Sequence, residues 1–426
     1  MPPDAPPTPR RRSALRDASW LGIANVAVKP VWLLFMVSAA PRVLGVDEYG
    51  SMQAALALAG LAMGFSDLGV SAHTLRESAR DPEAGGPLLV NMLATRVAAV
   101  AACGAVGLAA ALVLGYRGGA LGAIAAALVY LAGQHLTGFG RIFFRSYQVL
   151  HLEAWSTVAE KALVVGAGAV GLVAVGTAGG TLSAMAAALA LVAAAQLRWI
   201  TRRLVSLRRA WLDASFARRA VWLALPLGAA DVLLSVYLRT DQVMIEAMLG
   251  DRAAGQYGQA YRILEALGLL PAVVVQASLF PRLSRLAGGG SGVTYRRLLA
   301  KVGGGLAAVA VGVAAVLWAV SEPLILWLTG DPAFAPAGDA LGVLAWTFPF
   351  TCVKDVLFIS FLAQRRHGPA VALFGAAVLL NVGLNAAAIP AYGIVGASAV
   401  PLATEVFVVG AFLAFEWRQA RAAAPV

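Results

Sequence analysis

Six cations and eight acids interrupt stretches of sequence that are otherwise apolar. The cations are Lys29, Arg96, Lys161, Arg239, Arg262 and Lys354; the acids are Asp67, Glu160, Asp231, Asp241, Glu246, Glu265, Asp355 and Glu405. A charge at the centre of a bilayer costs about 2.5–3.5 kcal/mol on insertion scales, so such groups face a protein interior or a water-filled cavity. Spacing sorts them. Arg262 and Glu265 share a helix face at i,i+3, which favours a local ion pair. Arg239 and Asp241, two apart, point to different faces, so each needs a partner on another helix, a ligand or water. Asp231, Ser235 and Arg239 do share a face, whereas Lys354 and Asp355 diverge as neighbours. Lys29, Arg239 and Lys354 are therefore candidates for cations facing a central cavity, with Arg262 at similar depth completing a candidate substrate-binding set. The alternative is a set of interhelical salt bridges that fix the packing. Asp231, Asp241, Glu265, Asp355 and Glu405 suit ion coupling or gating, by proton or sodium. Arg96 and Asp67 lie near inner span ends and serve either packing or function; Glu160 and Lys161 lie deeper. Because the eight acids outnumber the six cations, a purely cationic lumen does not follow.

The elements that position these groups follow from composition. Of 426 residues, 60% are hydrophobic, only 13% are charged and 45 are Gly. Mean hydropathy is +0.77. A soluble chain is roughly 45–50% apolar and about 25% charged, and a water-soluble domain could not hide this much apolar surface. That excludes disordered chains, disulfide scaffolds and almost any soluble enzyme. A helix needs about 20 apolar residues to cross the hydrocarbon. The sequence predicts twelve spans: 18–40, 50–72, 88–114, 119–138, 154–175, 178–197, 220–248, 256–281, 299–320, 340–363, 369–390 and 393–415. No run alternates at period two, which excludes a β-barrel. The expected architecture is an all-α polytopic membrane protein of two parallel six-helix repeats around a central cavity.

The net charge of +11 would suggest nucleic acid in a soluble protein. Here it encodes orientation. With the N-terminus inside, the outer loops hold only Arg42, Arg117 and Arg252, while the inner loops and tails take most of the rest, Arg141 and Arg145 included. This bias predicts both termini in the cytoplasm and no nucleic-acid partner. The expected organisation is a basic tail (1–17), a six-helix lobe (18–200), a basic linker (201–219), a second lobe (220–417) and a short tail (418–426). The first residues lack a small-residue cleavage site after a short apolar core, so no cleaved signal peptide is expected.

Features recur across the arginine-rich linker. Leu44 to Gly50 (LGVDEYG) leads into span 2, and Leu249-Gly250-Asp251 followed by Gly255 to Gly258 (GQYG) leads into span 8. Arg96 and Lys301 open spans 3 and 9 at nearly the same offset. Six spans per half is an even number, so the repeats run parallel, an arrangement in which transporters place substrate between the halves. Gly166 to Gly171 (GAGAVG) fits a dinucleotide fingerprint but lies inside an unbroken apolar span, so it is a chance match. Gly60 with Gly64 and Gly118 with Gly122 describe helix packing. Pro30, Pro226, Pro271, Pro349 and Pro401 interrupt spans and favour kinks. Cys103 and Cys352 sit inside spans and suggest neither disulfide nor metal. No cofactor is expected.

Four stretches resemble the polysaccharide biosynthesis (Wzx/RfbX-like) flippases of the MATE-related MOP superfamily. They are Val43 to Gly50 with Phe65 to Gly69 (FSDLG) and Leu75 to Glu77; Leu225 to Gly228 (LPLG) with Tyr237 to Val243 (YLRTDQV); Gly255 to Arg262 (GQYGQAYR) with Leu279 to Ser284 (LFPRLS); and Asn381 to Asn385 (NVGLN) with Ile389 to Gly396 (IPAYGIVG). They cover most of the chain in order. The resemblance implies movement of a lipid-linked oligosaccharide, typically on undecaprenyl diphosphate, from the inner to the outer leaflet of the bacterial cytoplasmic membrane. Its Arg-x-Asp pattern matches Arg239 and Asp241, and Arg239, Lys29 and Lys354 would contact the diphosphate. The lipid II branch usually has fourteen spans, so twelve argues against that substrate. Membrane lipids and a glycan polymerase or glycosyltransferases are the implied partners. The main alternative is a MATE-like exporter of drugs or small molecules, which would favour lumen acids. An enzyme, such as a polymerase or ligase, fits poorly, because the largest outer loop (321–340) is short and has no His.

Overall fold

The computed structural model describes residues 30–67, 69–80, 85–204, 212–274, 279–287, 292–364 and 366–422. Among them every regular element is a helix: α1 (Ala40–Gly64), α2 (Val70–Arg80), α3 (Gly85–Val113), α4 (Gly118–Ser146), α5 (Leu150–Ala174), α6 (Ala178–Arg203), α7 (Ala214–Leu249), α8 (Asp251–Val274), α9 (Phe280–Ala287), α10 (Gly292–Thr329), α11 (Ala335–Ala345), α12 (Thr347–Ala363) and α13 (His367–Ala422). A π-helical stretch, Phe35–Ala39, precedes α1, and a single 3-10 turn, Pro332–Phe334, precedes α11.

The twelve expected spans map onto these helices in order. Seven helices are long and apolar enough to cross a membrane, and α11 with α12 makes a further span bent by 41°. One of the seven, Gly368–Gln419, holds a pair of expected spans. Another, Pro30–Gly64, holds the end of the first expected span (18–40, of which 18–29 lie outside the described residues) and most of the second. In both the backbone turns without ending the helix. The turns fall at Gly45 (φ 71°) inside α1 and Gly393 (φ 61°) inside α13. Both angles lie in the left-handed region, which glycine enters without the steric cost of a Cβ. The remaining two expected spans are α7 and α8, whose charged residues dilute their apolar character. Large apolar side chains point outward along the spans: Val113, Val173 and Leu379 are 88%, 85% and 75% exposed. In water such a surface would be an aggregation liability; in lipid it is the solvated face.

The helices form two compact units. One contains Leu58–Val232 and the described residues up to Phe35; the other contains Met36–Ala57 and the chain from Leu233. These units do not follow the expected boundary at the 201–219 linker. Residues 36–57 are held by the C-terminal helices: Ser38 and Arg42 donate to the Leu328 carbonyl at 3.0 and 2.8 Å, and the Gln259 amide donates to the Val37 carbonyl at 2.7 Å.

In the first unit α4 lies along α6, α6 on α5, and α2 and α3 against α4. Aromatic and aliphatic side chains fill their inner contacts, among them Leu89, Met92, Phe139, Phe143 and Ile200. In the second unit α10 packs on α11 and α12, α12 on α13, and α8 on α11. Its densest core joins Leu357, Phe361, Phe412 and Tyr237, with the Phe361 and Phe412 rings 4.5 Å apart and edge-on.

Candidate functional site

In the first unit a cavity of about 440 Å³ opens among α2, α3, α4 and α5. Its walls carry Ser71, Arg96, Gln134, His135, Arg141, Arg145, Glu160 and Lys161. The position of each follows from local sequence. Along α4, Phe139, Phe143 and Phe144 recur at helical spacing and bury one side, which turns Arg141 and Arg145 to another. Asp67 accepts the Ser71 amide at 2.9 Å, closing the entry to α2, and accepts Arg96 Nη1 at 2.7 Å. Arg96 thus ties α3 to the start of α2. It also donates to the Ser66 carbonyl (3.2 Å) and the Ser71 hydroxyl (3.1 Å). The Arg96 side chain is only 4% exposed, and its Nε has no hydrogen-bond partner among the described residues.

Glu160 is the hub of the opposite wall. One of its oxygens accepts Arg141 Nη1 and the other lies 3.3 Å from Lys161 Nζ. Its side chain is 2% exposed, whereas Arg141 and Lys161 are 22% and 28% exposed. Lys161 also lies 5.6 Å from the Trp32 ring centroid, a cation–π distance, and Trp32 stacks on Tyr130. Arg145 makes a two-pronged pair with Glu153 across the α4–α5 turn. The cavity therefore presents four cations and a single lining carboxylate. All four cations sit on helices long and apolar enough to cross a membrane, α3, α4 and α5. Fixed cations in a region of low dielectric attract a multiply charged anion more strongly than they would in water.

The sequence expectation placed Arg141 and Arg145 in an inner loop, where they counted only toward orientation. Their position is different because α4 continues to Ser146, past the end of the apolar run. The missed signal is the i,i+4 pair of arginines alternating with i,i+4 phenylalanines. Arg96 and Asp67 form a salt bridge, and Glu160 and Lys161 join the cavity.

The other expected site residues fall in the second unit or outside the described residues. Lys29 lies outside them, and Asp231 lies in α7 with its side chain outside the description. Lys354 on α12 and Glu405 on α13 form a buried pair at 2.5 Å. Tyr237 on α7 donates to the same Glu405 oxygen at 3.2 Å, and its ring lies 5.8 Å from the Lys354 nitrogen. Glu405 Oε2 has no hydrogen-bond partner among the described residues. Asp355 makes no hydrogen bond or ion pair among the described residues. Asp241 finds the partner its spacing demanded on another helix: it accepts the Tyr257 hydroxyl from α8. Arg262 pairs with Glu265 at 2.8 Å and reaches the Gln53 side chain at 3.3 Å. Arg239 is half-buried and makes no hydrogen bond or salt bridge among the described residues. The structure thus joins Lys354 to Glu405 and Arg262 to Glu265, and places Arg239 within electrostatic reach of the second pair.

A chain whose described residues are all helical, with long apolar spans and charges buried inside its units, belongs to the class of polytopic membrane proteins, and comparison with solved structures gives the fold. A lipid II flippase MurJ in an inward closed conformation is similar at a TM-score of 0.74 and 13% identity, over 93% of this chain and 87% of that one. An inward-facing multidrug resistance MATE family transporter of the MOP superfamily is similar at 0.72 and 16%, over 96% and 98%. The Vibrio cholerae MATE transporter VcmN in its bent form is similar at 0.57 and 15%, over 95% and 98%. The fold is that of the MOP superfamily. A model of the polysaccharide biosynthesis protein family matches residues 14–287, and the chain belongs to that family. The MatE family model matches residues 226–387. Comparison with curated proteins finds no match.

Proposed function

We propose that this protein carries a lipid-linked oligosaccharide, on a polyprenyl diphosphate, from the inner to the outer leaflet of a bacterial cytoplasmic membrane by alternating access. The sign of charge in the first unit carries the proposal. Its cavity offers Arg141 and Lys161, which share the single carboxylate of Glu160, while Arg96 and Arg145 are paired with Asp67 and Glu153. A diphosphate diester bears two negative charges and several acceptor oxygens, the chemistry such donors recognise. The one net positive charge left by Arg141, Lys161 and Glu160 favours an anionic cargo over a cationic drug. The family match and the MurJ-like fold support the same class of cargo.

Both termini would be cytoplasmic, as the cation bias requires. Proton or sodium flow would supply the driving force, with Asp231, Asp241, Glu265, Asp355 and Glu405 as the acids available to it. Glycosyltransferases and a glycan polymerase would act before and after the transport step. No covalent chemistry is assigned to the chain.

The test is transport by the purified protein in proteoliposomes, using a fluorescent polyprenyl-diphosphate oligosaccharide and a quencher or lectin confined to one side. The expected result is protein-dependent transfer that falls when Arg141 or Lys161 is neutralised. Export of a cationic dye with no lipid transfer would instead establish the exporter reading, which the MATE-like fold and the half-partnered Glu405 favour.

A further inference from the structure

The cations of the first-unit cavity are not idle while it is empty. Glu160 holds two of them, Arg141 from α4 and Lys161 from α5, one on each carboxylate oxygen. The carboxylate is almost wholly buried, but both cations retain a face toward the cavity. Arg145 is occupied differently. Its guanidinium is already paired through two nitrogens with Glu153 and is 52% exposed at the rim. Arg96 is fixed by Asp67, Ser66 and Ser71 and still has an unpartnered Nε in the buried wall.

These differences assign roles. Resting on the reading of the cargo as a diphosphate, we propose that Glu160 is a built-in counter-ion, a carboxylate that stands in for the substrate phosphates and is exchanged for them when the cavity fills. Arg141 and Lys161 turn from Glu160 to the diphosphate oxygens, while Arg96 stays with Asp67 and Arg145 stays with Glu153. Charge supports the exchange. Arg141, Lys161 and Glu160 together carry one net positive charge, so the site draws in a diphosphate diester, and Glu160 then competes with the diester for the same two cations. Without Glu160 the empty cavity would hold two uncompensated cations in low dielectric, which is strongly unfavourable. With Glu160 the empty state is stable, and the carboxylate competes with cargo. That limits affinity and lets the cargo leave.

The consequence has an unusual sign: removing an acid strengthens anion binding. The experiment is titration calorimetry of the full-length protein in nanodiscs, with inorganic pyrophosphate and a water-soluble short-chain prenyl diphosphate as probes. Arg141→Gln and Lys161→Gln are each expected to weaken both probes by about tenfold, and Glu160→Gln to tighten both by about as much. Arg145→Gln should change either by less than about threefold. Failure of the wild type to bind either probe would overturn the proposal. So would unchanged or weakened binding in a Glu160→Gln protein that elutes and melts like the wild type. Should that variant not fold, Glu160→Asp withdraws the carboxylate by one methylene and must tighten binding to a smaller degree; unchanged or weaker binding there also refutes the counter-ion. The two readings separate cleanly. The predicted binding pattern without lipid-linked transport keeps the counter-ion and removes the flippase, and transport without the pattern does the reverse.

Discussion

Gly50 and Gly255 lie against each other. A Cβ added to Gly255 would sit 3.1 Å from the Gly50 nitrogen and overlap the Val46 carbonyl, and one added to Gly50 would sit 2.8 Å from the Gly255 nitrogen and overlap the Asp251 carbonyl. The two glycines come from the two recurring sequence features, so the repeats meet backbone to backbone within the second unit. Close approach of this kind is what small residues allow between membrane helices.

Gly50→Ala should therefore destabilise the protein more than Gly258→Ala. At Gly258 the nearest atoms belong to the Gln53 side chain, which can turn aside. At Gly50 the obstruction is backbone, and the strain should cost about 1–3 kcal/mol or more. Thermal unfolding in detergent measures both; equal shifts would mean that the contact yields easily.

The Lys354–Glu405 pair makes a second prediction. Removing one partner of a buried pair costs about 3–5 kcal/mol, because the other charge is left uncompensated. Lys354→Met and Glu405→Leu should each lower the melting temperature strongly, and the double variant should recover most of the loss. Transport assayed on the double variant then separates roles. Retained flux would make the pair a packing device, and abolished flux in a stable protein would make it part of the coupling path.

Arg239 should behave in the opposite way. It has no hydrogen bond or salt bridge among the described residues, so Arg239→Ala should leave thermal stability within about 0.5 kcal/mol of wild type. Transport should fall severely all the same if the guanidinium meets cargo. Arg239→Lys distinguishes bidentate contact from charge alone, because an ammonium cannot form the planar fork. Wild-type flux in Arg239→Ala would show that this cation does not meet the cargo.

The spans were legible because each apolar run reports its environment directly. The local pair Arg262–Glu265 was legible for a similar reason: helical spacing alone brings it together. Asp241 shows the limit. Its spacing from Arg239 said that a partner must come from elsewhere, but nothing local named Tyr257. Lys354 and Glu405 are joined by folding across some fifty residues, a distance no periodicity encodes. Arg141 and Arg145 were hidden by the hydropathy criterion itself. Their helix continues beyond the apolar run as an amphipathic segment whose phenylalanines bury one face, and a test for apolar windows ends too soon there.

The division of the chain into two units has a mechanical consequence. The passages from one unit to the other fall at Phe35/Met36, Ala57/Leu58 and Val232/Leu233, and each lies inside continuous helical backbone rather than in a loop. A rod cannot act as a free swivel. Bending of the chain at these passages is taken up by helix curvature rather than by a swivelling loop. The first passage coincides with the start of the π-helical Phe35–Ala39, where the i→i+4 ladder gives way to a wider i→i+5 turn, the kind of irregularity at which long helices change direction.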